Sequence, residues 1–270
     1  MTSQTAISPS HSRQLGRARW RNLNVQGLVF ILVLALVWEL LARTVFSVYD
    51  SIASTSQTLV AMVGLVNEGT LLAQIGHTLT VTVVGWAIAI LVGGLLGVLL
   101  GLSDPVWKYS MASVEVLRSI PSISFVPVAL LLLGFSQTME LVVVVYVCVW
   151  PVLMATMGGV RGVEPQLRDT ARTLGLGWWL TVTRIVLPAA VPHILVGIRL
   201  ALSLAIALAV IAEMLGNPQG LGFGIVFVQR AFRPADVFAY LLVIGLIGWL
   251  LNTLFTFLIR RVAPRFAGTL

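Results

Sequence analysis

Charged residues are scarce in this 270-residue chain: Asp, Glu, Lys and Arg together make up 10% of it, against about 25% in soluble domains. With 58% of residues hydrophobic, that shortage excludes a soluble globular protein. Cysteine is nearly absent. The single Cys148 rules out an intrachain disulfide, and its place in an apolar run reads as a small packing residue. Polar/apolar alternation is missing from runs such as 241–251, which excludes a membrane barrel of alternating segments of about ten residues. No G-x-x-x-x-G-K-[ST] phosphate loop occurs, so ATP hydrolysis is not expected of this chain. The glycine-rich Gly220-Leu221-Gly222-Phe223-Gly224 lacks the lysine and reads as a turn. No second His, Cys or carboxylate stands at ligand spacing from His193, so neither a metal nor another bound cofactor is expected. No Ser/His/Asp set or carboxylate pair suggests a membrane-embedded enzyme.

What the chain has in quantity is long apolar blocks. Backbone in hydrocarbon must satisfy its own hydrogen bonds, so the blocks are read as helices. Six candidate spans fall near 25–42, 79–102, 120–135, 139–157, 192–215 and 237–259. Five approach the roughly twenty residues needed to cross. The third is short and holds Pro121 and Pro127. Charge argues that it crosses nonetheless. With six spans and the basic N-terminus inside, thirteen arginines and lysines fall inside, among them Arg118, Arg161, Arg168, Arg172 and Arg184. Only Arg43, Arg230 and Arg233 fall outside. Removing the third span would place the arginines of 157–191 outside, against the positive-inside rule. The expected fold is therefore an all-α integral membrane protein with about six spans and both termini cytoplasmic. The net charge of +7 is topology-setting, and no nucleic-acid partner is expected.

The expected organisation is a polar basic tail over 1–24, a first transmembrane helix with an external loop over 25–69, a membrane core over 70–262 and a cytoplasmic tail over 263–270. The first span reads as a retained signal-anchor. Residues 103–118 are mildly amphipathic and read as an interfacial elbow leading into the third span.

The long polar insert lies between Met157 and Val191. Apolar Val163, Leu167, Ala171 and Leu174 recur at helical spacing. Gly175 and Gly177 break that helix. A second short helix is expected over 178–186, ended by Pro188, which starts the next span. Such a helix–turn–helix suits docking into a partner's groove. It equally suits lying on lipid headgroups, with Trp178 and Trp179 as aromatic anchors.

The spacing Asp169-Thr170-Ala171, Gly175, Ile185, Leu187-Pro188 resembles the EAA loop of permease subunits in bacterial binding-protein-dependent ABC importers: Glu-Ala-Ala, three residues, Gly, nine residues, Ile-x-Leu-Pro. Asp169 replaces the usual Glu and Thr170 the usual first Ala. Arg172-Thr173-Leu174-Gly175, Ser119-Ile120-Pro121 with Pro127, Ala212-Glu213-Met214-Leu215 and Gly220-Leu221-Gly222 are similar to the nitrate/sulfonate/taurine branch. The resemblance covers about 70–262. It implies the type I importer permease architecture, with the insert as the cytoplasmic coupling helix of a multi-pass protein of the bacterial inner membrane. It further implies two copies of a separate ATPase subunit that uses the ATP, a second permease copy in a homodimer, and an external solute-binding protein. The implied cargo is a small anion or zwitterion.

Ionisable residues at membrane depth are functional candidates. Glu213, toward the outer end of the fifth span, and Arg199, toward its inner end, are candidates for the translocation path. They stand about 21 Å apart along a helix axis and cannot pair. Glu213 equally suits capping the loop that begins at Gly216. Glu39 and Arg43 suit an i,i+4 ion pair. The alternative function is a proton-coupled secondary transporter using Glu213 or Glu39.

Overall fold

The structure is a computed structural model that describes residues 19–262 and 264–265. Most of the two expected tails, 1–24 and 263–270, falls outside the described residues, while 19–24 belong to the first helix. Every regular element among the described residues is helical.

Helix α1 (Arg19–Thr44) stands at the edge, and its apolar side chains from Leu28 to Leu41 are largely exposed. An outward-facing apolar helix of this length is what a lipid neighbour requires. Its hydrogen bonds to the rest, among the described residues, lie toward one end. Trp38 Nε1 donates to the Ala53 carbonyl at 3.2 Å, and Thr55 Oγ1 to the Ala35 carbonyl at 3.0 Å. The segment read as an external loop contains α2 (Thr55–Asn67), started by a capping box between Ser54 and Gln57. Ser-x-x-Gln is a helix-start signature, so this segment is a helix rather than a plain loop.

The core is α3 (Thr70–Leu102), α6 (Gln137–Arg161) and α9 (Leu187–Gly216) packed side by side. Helix α3 runs for 33 residues, about 50 Å at standard rise, so it starts nine residues before the expected span. Its contact with α6 follows small residues at every fourth position: Gly85, Ala89, Gly93, Gly97 and Gly101, all buried. A Cβ on Gly93 would lie 2.7 Å from the Val149 carbonyl oxygen, and one on Gly97 would lie 2.6 Å from Thr156 Cβ. Lipid tails are as apolar as leucine, so membrane helices associate through such close backbone approach. Gly197 of α9 meets α6 in the same way, with Ala155 Cβ 2.4 Å from the added carbon.

The third span differs from expectation. It is a broken pair, α4 (Asp104–Ser119) and α5 (Ser122–Leu133), bent by 86°. Pro121 forbids the preceding residue helical angles, and Ile120 is accordingly extended. Helix α4 starts beside the end of α6, where Asp104 pairs with Arg161 at 2.6 Å. It climbs along α6 until the Leu117 carbonyl accepts from Tyr146 Oη at 2.8 Å. Helix α5 completes the crossing, bringing Leu130 beside Gly216 at the far end of α9. Arg118 is thereby carried away from the inner loops to which charge counting assigned it. The segment 103–118, read as an interfacial elbow, forms the first arm of this bent pair.

Helix α10 (Gly220–Arg230) corrects the expected glycine-rich turn, and α11 (Pro234–Val262) closes the fold. Phe255 near the end of α11 packs with Leu195 and Val191 at the start of α9. Trp38 of α1 stacks near Phe238 at the start of α11, centroids 6.1 Å apart. The start of α1, the end of α11 and the polar insert therefore share one side, as the charge distribution requires.

Candidate functional site

The insert is built on a buried footing. Val163, just beyond α6, is buried with Val160, Val186 and Ala190. Helix α7 (Pro165–Thr173) then starts with proline in its first turn, where the missing N–H costs no helical bond. It ends in a Schellman turn. Gly175 N–H donates to the Arg172 carbonyl and Leu176 N–H to the Ala171 carbonyl, both at 3.0 Å. Gly175 has φ +68°, the left-handed conformation that such a turn requires and glycine adopts freely.

The expected second short helix is larger than the sequence suggested. Helix α8 (Trp178–Thr181) passes through a π-helical turn, Val182–Val186, directly into α9. The result is one continuous rod, Trp178–Gly216, of 39 residues. Pro188 does not end it. Proline removes one N–H and crowds the carbonyl four residues back. The wider turn relieves this, with Leu187 N–H reaching back five residues to the Val182 carbonyl. π turns recur at functional sites.

The seven motif residues divide in two. Ala171 is fully buried where α7 packs on the π turn, and Ile185 and Leu187 are half-buried. These three seat the insert. Asp169, Thr170, Gly175 and Pro188 are exposed. Asp169 bridges to Arg172 at 3.3 Å, and its carbonyl accepts from Thr173 Oγ1. Of the expected apolar face, Val163 and Ala171 are buried, while Leu167 and Leu174 stay exposed, as do Trp178, Trp179 and Leu180. Leu174, Trp178 and Trp179 are each about two-thirds exposed (69%, 67% and 69%). An apolar ridge rimmed by charges, on a rigid footing, is a docking surface in form.

The path candidates lie elsewhere and face different neighbours. Arg199 Nε donates to Asn252 Oδ1 of α11 at 3.0 Å and is half-buried. Glu213 is 1% exposed. Its Oε2 accepts from Gly222 N–H at 2.8 Å and from Thr78 Oγ1 at 3.0 Å, while Thr78 Oγ1 accepts from Leu221 N–H at 3.0 Å. Glu213 and Thr78 thus cap the N-terminus of α10, where a negative charge is favourable. Gly220 has φ +88°, and a Cβ there would lie 2.2 Å from the Glu213 carboxyl carbon. In this chain Glu213 sits inside the bundle as a clamp, and Glu39 bridges Arg43 and Ser56 at the end of α1.

Sequence reasoning missed the companions of Glu213. Glu140 Oε2 lies 2.7 Å from His77 Nε2, and ligand atoms of His77, Glu140 and Glu213 all lie within 4.8 Å of one another. These three residues form a donor set that could hold a metal ion, a grouping that spacing along the chain does not reveal. Spacing rules test neighbours in sequence, and His77 and Glu140 are 63 residues apart.

Comparison with known proteins places this geometry. Residues 89–268 match the family described as "binding-protein-dependent transport system inner membrane component". A putative aliphatic sulfonates transport permease protein, SsuC, of Bacillus subtilis is 27% identical over 88% of this chain and 86% of its own length. The nitrate import permease protein NrtB of Synechocystis is 31% identical over 87% and 88%. Among solved structures, an inward-facing form of the MetNI methionine ABC transporter matches with a TM-score of 0.64 at 18% identity, over 73% of this chain and 97% of its own. The fold is that of a type I ABC importer permease, and the chain belongs to the binding-protein-dependent permease family, in its nitrate/sulfonate branch.

Proposed function

We propose that this chain is the membrane-spanning subunit of an ATP-driven importer of a small anion in a bacterial inner membrane, moved by a separate ATPase that seats on the 169–188 loop. The observation that carries this reading is the exposed ridge of Leu167, Leu174, Trp178 and Trp179 on a footing locked by Ala171 and the Gly175 turn. A helix pair lying on lipid would need aromatic anchors and nothing more. A pair that must transmit force needs a rigid joint to a span, and the rod Trp178–Gly216 supplies one.

Two permease copies, two ATPase subunits and an external solute-binding protein complete the machine. Closure of the ATPase pair draws the two loops together and tilts the rods, which opens the path outward. The chain itself performs no chemistry. The relatives named for sulfonates and nitrate support an anionic cargo, and Arg118 is the residue placed to meet it. It is 45% exposed at the α4–α5 bend, with only the 3.9 Å contact to Glu115 as an ion pair among the described residues. A cation at that depth must face water, a counter-ion or a solute.

The test is co-purification. With the ATPase co-expressed, Leu174→Asp and Trp178→Asp leave the permease inserted and monodisperse but without its ATPase. ATPase retained at wild-type stoichiometry by both variants overturns the reading.

A further inference from the structure

The His77–Glu140–Glu213 cluster is more than a clamp on α10. Glu140 is 0% and Glu213 1% exposed, and Oε1 of each is buried without a hydrogen-bond partner. Their Oε2 atoms are occupied, by His77 in one case and by Thr78 and Gly222 in the other. Buried carboxylates require neutralising partners, and among the described residues the His77 contact is the one ion pair either makes. No hydrogen-bond donor lies within reach of either Oε1. A cation bound between the two carboxylates satisfies both.

We propose that His77, Glu140 and Glu213 form a divalent transition-metal site, with Zn²⁺ the best-fitting ion, that joins α3, α6 and α9 at the outer end of the bundle. One imidazole nitrogen and two carboxylates suit zinc and its neighbours, whereas calcium and magnesium prefer all-oxygen shells. With an ion bound, the imidazole would carry its proton on Nδ1, and Nε2, which here lies 2.7 Å from Glu140 Oε2, would face the ion instead. Thr78 Oγ1 and Gly222 N–H hold Glu213 from behind, as outer partners of metal ligands do. His77 keeps 11% of its side chain exposed beside Asn217, whose Nδ2 lies 3.4 Å from Nε2. The ion therefore enters past His77, and a fourth position remains there for water.

The test uses the full-length protein, purified with chelator and then dialysed against Zn²⁺. The expected result is one tightly held zinc per chain by elemental analysis, with a rise in the unfolding temperature. Glu140→Gln and Glu213→Gln should each weaken binding by at least about 100-fold, while His193→Gln leaves it unchanged. Co²⁺ added to the wild-type chain alone should give ligand-field bands that Zn²⁺ abolishes, a readout independent of how well the variants fold. A wild-type chain that retains no stoichiometric zinc and shows no such bands overturns the site. So does zinc retained by a folded Glu140→Gln/Glu213→Gln double variant.

Discussion

The Thr78 hydroxyl donates to Glu213 Oε2 at 3.0 Å across 135 residues of chain, and accepts the Leu221 N–H at the same distance. One side chain thus fixes α3, α9 and α10 together at a buried point. Thr78→Val keeps the shape and removes both bonds, leaving a buried N–H unpaired. The expected cost is about 1–3 kcal/mol, read as a lower unfolding temperature in detergent. An unchanged melting curve would show that the clamp contributes nothing.

The α3 stripe makes a sharper prediction. Gly97→Ala puts a carbon 2.8 Å from the Leu153 carbonyl and 2.6 Å from Thr156 Cβ, so the helices must part. Overpacking of this kind costs about 1–3 kcal/mol. Gly94→Ala, one turn position away, meets nothing within 4 Å and should behave as wild type. Equal yields and equal thermal stability for the two variants contradict the packing argument.

Ala171 and Gly175 separate seating from contact. Ala171→Glu buries a charge between α7 and the π turn, so it should expose the loop to protease as well as release the ATPase. Gly175→Asp meets no neighbour, yet it must hold the left-handed angle. It should weaken ATPase binding while leaving the spans protected. Limited proteolysis alongside co-purification distinguishes the two effects, and identical digestion patterns would refute the distinction.

Arg118→Gln should lower anion uptake in membrane vesicles by about tenfold or more, the loss expected for one charge-assisted hydrogen bond of about 1.5–3 kcal/mol. ATPase co-purification should be untouched, because the residue lies far from the insert. Uptake at wild-type rate by Arg118→Gln would remove it from the path.

Much of this molecule was legible because it obeys short-range rules. Apolar block length marked the spans, and the arginines marked the side that the start of α1, the end of α11 and the insert share. Gly175 marked the end of α7, as glycine does at helix termini. The failures have physical causes. Pro188 looked like a stop because a proline in an α-helix is one; a π turn offered a different register. The glycines after Gln219 looked like a turn because nothing in 220–224 reveals that Thr78 and Glu213 wait to cap a helix there. Arg118 was counted as a loop residue because hydropathy cannot see a span that rises on an amphipathic helix and bends at proline. His77 and Glu140 were invisible as a pair, since only the packing of α3 on α6 brings them together.

The rod from Trp178 to Gly216 is about 58 Å long at standard rise, and it has its docking ridge at one end and the Glu213 clamp at the other. If the rod turns as one piece about one end, a tilt of about 5° swings the other end by about 5 Å. The stroke arriving at the outer face is therefore set by where α3 and α6 place the fulcrum. In the importer proposed above, the buried glycine stripe, which fixes the spacing of α3 and α6, sets how much of each movement of the insert reaches the outer end.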